Sequence, residues 1–93
     1  MSVTRIMRFR SRSGYEEALH NALLALVPAV ANAPGCACVR LLSSLDDPRD
    51  FLLYEEWSSV EAHKASANAL MPEIQSRTAS LAENTPSGDY YAG

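Results

Sequence analysis

The 93-residue sequence predicts one α+β domain over residues 1–93, with four antiparallel strands and two helical regions in the order strand, helix, strand, strand, helix, strand. Three observations carry this. Segments of two-residue periodicity alternate with segments of helical periodicity in that order. The length accommodates a single core and leaves nothing for a second domain. The third predicted strand, residues 51–57, carries large apolar groups on both faces, so both faces require cover.

Residues 3–10 interleave Ile6, Met7 and Phe9 with Arg5, Arg8 and Arg10, and Gly14 breaks the run, which predicts a first strand and a turn. Residues 15–32 place Leu19, Leu23, Leu26 and Val30 at helical spacing, with Glu16 and Glu17 in the first turn, where the helix dipole favours acids. Ala33-Pro34-Gly35 stops this helix. Pro28 should kink or loosen its last turns, because it lacks a backbone donor and crowds the preceding turn. Residues 36–43 predict a second strand and 51–57 a third, joined as a hairpin through the turn formers of 44–50. Ser58-x-x-Glu61 reads as a capping box that opens a short helix over 59–67. Asn68 then predicts the cap of a further helix with Pro72 in its first turn and an apolar stripe of Leu70, Ile74 and Leu81, ending at about residue 82. Ser87-Gly88 turns the chain into a last strand through Tyr90 and Tyr91.

This order is the split βαβ, or ferredoxin-like, arrangement. Right-handed crossovers set strands one and three side by side and antiparallel, with strands two and four at the edges. Along strand three, Phe51, Leu53, Glu55 and Trp57 share one face, while Leu52, Tyr54 and Glu56 share the other. The helices of so short a chain cover one face only. The other calls for a second sheet from a second copy related by a two-fold axis, so the sequence predicts a homodimer.

Hydrophobic residues at 47% and charged residues at 20% are ordinary for a globular domain. A formal net charge of -3, with Lys64 the sole lysine, argues against a duplex nucleic-acid partner, which would need many contacts from basic side chains to phosphate. Arg5, Arg8, Arg10 and Arg12 cluster near the N-terminus, either to pair with Glu55 and Glu56 across the sheet or to attract a small anion. Cys36 and Cys38 read as free thiols on one strand face, used as small hydrophobes in a reducing compartment, so a cytoplasmic location is expected. The apolar run at 22–30 behind the arginines imitates a signal peptide, but Glu16, Glu17 and His20 stand between the arginines and the run. No stretch reaches the roughly 18 apolar residues of a membrane span. Metal-ligand clusters, a nucleophile elbow and Gly-rich phosphate loops are all missing, and no metal or cofactor is expected.

Five motifs in order, Arg8-Phe9-Arg10 before Gly14, Ala33-Pro34-Gly35-Cys36, Asp46-Asp47-Pro48, Phe51-Leu52-Leu53-Tyr54-Glu55-Glu56-Trp57 and Glu61-Ala62-His63, make the chain resemble the antibiotic-biosynthesis-monooxygenase (quinol monooxygenase-like) family of dimeric α+β barrels over nearly its whole length. The resemblance implies that the final strand ties two subunits together and that each subunit has its own pocket between sheet and helices. It also implies insertion of oxygen from O2 into an electron-rich phenol, quinol or anthrone-like ring without metal or flavin. A haem-degrading branch of the same fold uses an Asn on strand one, where Arg5 stands here.

Such chemistry needs a base to ionise an aromatic alcohol, a shaped apolar wall and exclusion of water. His63 is the candidate base, since imidazole titrates near working pH and the residue lies on the inward stripe with Val60, Ala67, Leu70 and Ile74. An alignment without a gap would put Ser66 at the family's helix-histidine position instead. Glu55 and Trp57, two residues apart on one strand face, complete the expected catalytic set by walling and polarising the ring. Arg5, Met7, Phe9, Phe51 and Leu53 are the expected substrate contacts. Each has a structural alternative: His63 bonded to backbone against the sheet, Trp57 in the core, Glu55 paired with an arginine such as Arg5, and Met7, Phe9, Phe51 and Leu53 as core packing. His20 is expected on the solvated helix surface, and Tyr90 and Tyr91 in dimer packing. The competing functional class is a non-enzymatic dimer that binds a small aromatic or supports another protein. A closed cavity shared by His63, Trp57 and Glu55 would separate the two classes.

Overall fold

A computed structural model describes residues 2–93. The elements are β1 (Val3–Arg10), α1 (Glu16–Ala31), β2 (Cys36–Ser43), β3 (Asp50–Trp57), α2 (Val60–Thr78) and β4 (Ser87–Ala92). They form the ferredoxin-like βαββαβ arrangement, and the sheet order is β2-β3-β1-β4 with every pairing antiparallel. No helix among the described residues is long and apolar enough to cross a membrane.

Pairing register decides what faces what. Met7 lies opposite Leu53, Phe9 opposite Phe51 and Arg5 opposite Glu55, so the odd-numbered residues of β1 and β3 share one face. That face packs under both helices: Met7, Phe9, Phe51 and Leu53 join Leu19, Leu23 and Leu26 of α1 and Ile74 of α2 in one core cluster. The even residues Leu52, Tyr54 and Glu56, with Ile6 and Leu42 beside them, remain half-buried on the face that no helix covers.

Several local expectations are corrected. α1 runs through Pro28 to Ala31 without interruption. Pro28 and Leu24 are both exposed, so the carbonyl that loses its partner meets water. The two helical segments expected over 59–67 and 68–82 are one helix, α2, with Pro72 inside it and Asn68 capping nothing. Pro72 and Asn68 again sit on the solvent side, while His63, Ser66, Ile74 and Thr78 continue a single buried stripe past them. The cap is Ser59, not Ser58: its side chain accepts from the Ala62 amide at 3.0 Å. The Ser58 amide instead donates to the Gly35 carbonyl at 2.8 Å. Gly35 adopts φ +87°, and a Cβ there would lie 2.7 Å from that of Ala62, so glycine lets the turn after α1 rest on the start of α2.

Cys36 and Cys38 do not share a face. A bulge between them sets Cys36 opposite Trp57 but Cys38 opposite Glu56, which sends the thiols to opposite sides of the sheet. Both are free. Nor do the arginines bridge to Glu55 or Glu56. Arg8 pairs with Asp89 at 3.0 Å, and Arg10 holds Asp47 at 2.8 Å, Asp50 at 2.7 Å and Glu83 at 3.1 Å. Glu83 also takes Arg49 at 2.6 Å, so this network ties the β2–β3 loop to the segment after α2. Arg12 donates to the Ala82 carbonyl. His20 is half-buried with its ring centroid 5.9 Å from that of Phe51, so it packs on the core edge instead of standing in solvent.

The cap assignment is testable. Ser59→Ala should cost about 1 kcal/mol in urea unfolding, because the α2 N-terminus loses its side-chain acceptor, whereas Ser58→Ala should stay within roughly 0.5 kcal/mol. Equal losses at the two positions would contradict the cap.

Candidate functional site

Four elements bring the site together. Strand alternation turns Arg5 and Met7 of β1 and Glu55 and Trp57 of β3 under the helices, and the first turns of α2 place His63 above them. Arg5, Met7, Glu55, Trp57 and His63 line one small pocket of about 30 Å3, bordered also by Val30 of α1 and by Leu70, Met71 and Ile74 of α2. That volume admits a water molecule, not an aromatic ring.

The polar groups of the cavity are connected. The Trp57 indole Nε1–H donates to Glu55 Oε1 at 2.8 Å, within residues 1% and 4% exposed. His63 is 7% exposed, and its ring meets that of Trp57 edge-on with centroids 5.3 Å apart. On the other side His63 Nδ1 lies 2.6 Å from the Tyr90 hydroxyl. The Tyr90 ring in turn carries the Arg5 guanidinium, whose Cζ sits 4.5 Å from the ring centroid.

Burial sets the electrostatics. It pushes the Glu55 carboxyl above its ordinary range, with the Trp57 hydrogen bond and the Arg5 charge opposing the rise. It also drives the His63 imidazole down to about 4, helped by the positive charges of Arg5 and Lys64. His63 is therefore uncharged at neutral pH, further from working pH than a free imidazole. Among the described residues no group of three or more His, Cys, Asp or Glu side chains is placed to hold a metal ion.

The sequence-predicted set divides. His63, Glu55, Trp57, Arg5 and Met7 converge on the cavity. Phe9, Phe51 and Leu53 pack in the hydrophobic core instead, and the two phenylalanines also border a separate open cleft beside Arg10 and Asp50. Ser66, one turn beyond His63, is buried toward the α1–β2 turn with its hydroxyl 3.5 Å from the Pro34 carbonyl, outside the cavity. Tyr90 was expected at a subunit interface together with Tyr91, yet adjacent strand residues face opposite ways: Tyr90 lies opposite Arg5, Tyr91 opposite Thr4. That alternation was the available signal for placing Tyr90 beside His63.

A larger cleft of about 570 Å3 opens between the second half of α2 and residues 82–86. It shares Met7, Met71 and Ile74 with the small cavity, so flexible methionine side chains form the partition between the two.

The neutral burial of His63 predicts an acid-side decline in stability. Unfolded, the imidazole titrates near 6.5; folded, near 4. Below the higher value the unfolded chain binds a proton that the folded chain refuses. This contribution is thus complete above 6.5 and falls as the pH drops toward 4, by up to roughly 3 kcal/mol. Glu55 has the opposite sign: its folded value is raised, so its contribution declines as pH rises past its ordinary 4.5. Urea titrations between about pH 4 and 7 should show a shallower decline in His63→Gln than in the native chain. Identical slopes would mean that the imidazole is not held neutral.

Comparison with known proteins accords with this architecture. No curated protein sequence matches the chain. Among solved structures, PA3566 of Pseudomonas aeruginosa superposes with a TM-score of 0.85 at 26% identity, over 99% of this chain and 93% of that one. Rv0793 of Mycobacterium tuberculosis gives 0.86 at 21% identity, over 100% and 95%. A mutant of SnoaB of Streptomyces nogalater, a cofactor-independent oxygenase, gives 0.81 at 17% identity, over 99% and 92%; at that identity the likeness is one of fold. The family model for antibiotic biosynthesis monooxygenase matches residues 2–71, which include β1, β3 and the His63 turn of α2, and the chain belongs to that family.

Proposed function

We propose that the chain is a homodimeric monooxygenase that oxidises a small electron-rich aromatic, of quinol, phenol or anthrone type, with O2 and without metal or flavin. The observation that carries this reading is the convergence of Arg5, Glu55, Trp57 and His63 on one small pocket with apolar walls. A non-enzymatic binding domain has no need of two ionisable groups sealed beside an indole, where burial opposes the charged form of each.

The chemistry follows from the groups present. Binding through the larger cleft places a ring among Met7, Met71 and Ile74, with its hydroxyl toward His63. In the tautomer whose Nδ1–H donates to Tyr90, Nε2 is free to take the hydroxyl proton. The substrate anion passes one electron to O2, and the resulting radical and superoxide combine to form a carbon–oxygen bond. The proton held on His63 then goes to the outer peroxide oxygen, the carbon bearing the peroxide gives up its remaining hydrogen as a proton, and the O–O bond breaks, so that water leaves with both protons and one oxygen atom remains in a new carbonyl. The electrons come from the substrate itself. Trp57, held by Glu55, walls the ring, and a bound ring displaces solvent from the anion.

Oxygen uptake with a panel of quinols and anthrones tests this. His63→Ala should lower kcat/KM by about 100-fold or more at near-native stability. Absence of uptake by the native chain with every substrate, or an undiminished rate in the variant, would overturn the reading.

The dimer is supported by the open sheet face. Ile6, Leu42, Leu52 and Tyr54 form a half-exposed apolar patch there, with both helices on the opposite side. Two copies stacked by this face bury one patch with the other, and free thiols at Cys36 and Cys38 suit a cytoplasmic setting. Sedimentation should give a dimer for the native chain and a monomer for Leu52→Glu; a monomeric native chain would remove this part of the proposal.

A further inference from the structure

Arg5 is a half-buried cation with no ion pair among the described residues. Among the described residues the arginine ion pairs involve Arg8, Arg10, Arg49 and Arg77, and none reaches Arg5. Its Nε–H is sealed from solvent and has no hydrogen-bond partner. The carboxylate directly opposite it, Glu55, spends Oε1 on the Trp57 indole. A buried donor left unmatched on a charged group is unfavourable, and core packing alone would be better served by an apolar side chain at this position.

The surroundings nevertheless hold the guanidinium in place. Tyr90 supports it from below at 4.5 Å, and the Tyr90 hydroxyl is anchored on His63. Gly88, on the neighbouring strand, leaves the space it occupies: a Cβ there would stand 2.6 Å from Nη2 and 2.7 Å from Cζ. Arg5 thus lines the same pocket as His63 and Glu55, its guanidinium held in place and its Nε–H without a hydrogen-bond partner.

We propose that Arg5, positioned by Tyr90 and Gly88, is the docking point for an ionised oxygen on the aromatic substrate, which makes the substrate class acidic hydroxylated or carboxylated aromatics bound as anions. The inference rests on the monooxygenase reading for its chemical purpose. It also resolves a difficulty within that reading. A buried neutral imidazole is a weak base for a phenol, and a guanidinium at the reacting oxygen stabilises the phenolate and lowers the phenol pKa that the base must match.

The test uses two probes that are not turned over. 4-Nitrophenol changes its absorption spectrum on ionisation, so its bound protonation state can be read directly, and benzoate competing for the same site reports a carboxylate. The native chain should bind 4-nitrophenol as the phenolate, at a pH below that at which the free probe ionises. Arg5→Gln should weaken phenolate binding roughly 10- to 150-fold, the range for one hydrogen bond to a charged group, and leave the uncharged 4-nitroanisole unaffected. Arg5→Lys should fall between. Gly88→Ala, which moves the guanidinium without removing it, should reproduce the loss in part; thermal melts establish that each variant is folded. Tighter binding of phenolate than of benzoate assigns the anion to the reacting hydroxyl, and the reverse order assigns it to a carboxylate substituent. Equal phenolate affinity in the native chain and Arg5→Gln, or binding of the neutral phenol in preference, overturns the inference. Oxygen uptake that persists unchanged in Arg5→Gln would sink the inference and spare the monooxygenase reading. Arg5-dependent phenolate binding without uptake on any substrate would do the opposite.

Discussion

Strand β3 runs through the interior of the sheet, and each of its residues must face either the helices or the uncovered side. The alternation along Asp50–Trp57 resolves this: Phe51, Leu53, Glu55 and Trp57 are all buried, while Leu52, Tyr54 and Glu56 stay half-exposed. A one-residue slip would carry Glu55 and Trp57 to the open face and bring Tyr54 and Glu56 under the helices. The register to β1 therefore fixes more than the sheet. It sets Phe9 against Phe51 at one end, where the core is apolar, and Arg5 against Glu55 at the other, where the site lies.

The polar end of the face is held by contacts of a different kind from those at the apolar end. Leu19, Leu23 and Leu26 seal the phenylalanines by packing. Around the cavity the groups are placed by directed bonds: Trp57 to Glu55, His63 to Tyr90, Arg5 on the face of Tyr90. Burial opposes ionisation of Glu55 and of His63 alike, so each charge that forms there does so against desolvation. Perturbed ionisable groups gathered in this way are a pattern that clusters at functional sites. β4 is part of this arrangement, not only an edge: through Tyr90 and Gly88 it supports the imidazole and makes room for the guanidinium.

Most of the fold was legible because its signals are periodic. Leu19, Leu23, Leu26 and Val30 mark α1, and the alternation of residues 51–57 marks β3 and its two faces. What escaped depends on competition between a local rule and its surroundings. Ser58 and Ser59 both satisfy a capping pattern, and only the turn at Gly35, which takes the Ser58 amide, leaves Ser59 to cap α2. Asn68 and Pro72 have the chemistry of a helix start, but the buried stripe from His63 to Thr78 continues across them, and the freed carbonyl faces water. The i,i+2 spacing of Cys36 and Cys38 predicts one shared face, and the bulge that cancels it has no mark in the local sequence. Within the site, His63, Glu55 and Trp57 were readable from periodicity together with family resemblance. Tyr90 was not, because its importance arises from a cross-strand neighbour 85 residues earlier, Arg5, and that pairing exists only once the sheet has formed.

The mismatch between the two cavities constrains how the site can be used. About 30 Å3 beside His63 holds no ring, whereas about 570 Å3 lies just beyond Met7 and Met71. A ligand reaching His63 must displace those two side chains, and unbranched thioethers with several rotatable bonds yield at lower energy than β-branched residues would. In the absence of ligand the methionines narrow the space beside Glu55 and His63, and opening is then driven by interactions the ligand makes on arrival. An apolar molecule gains only contact with the methionines. One bearing an ionised oxygen gains in addition the unmatched donor of Arg5, so entry past the methionines favours anionic aromatics over neutral ones of equal size.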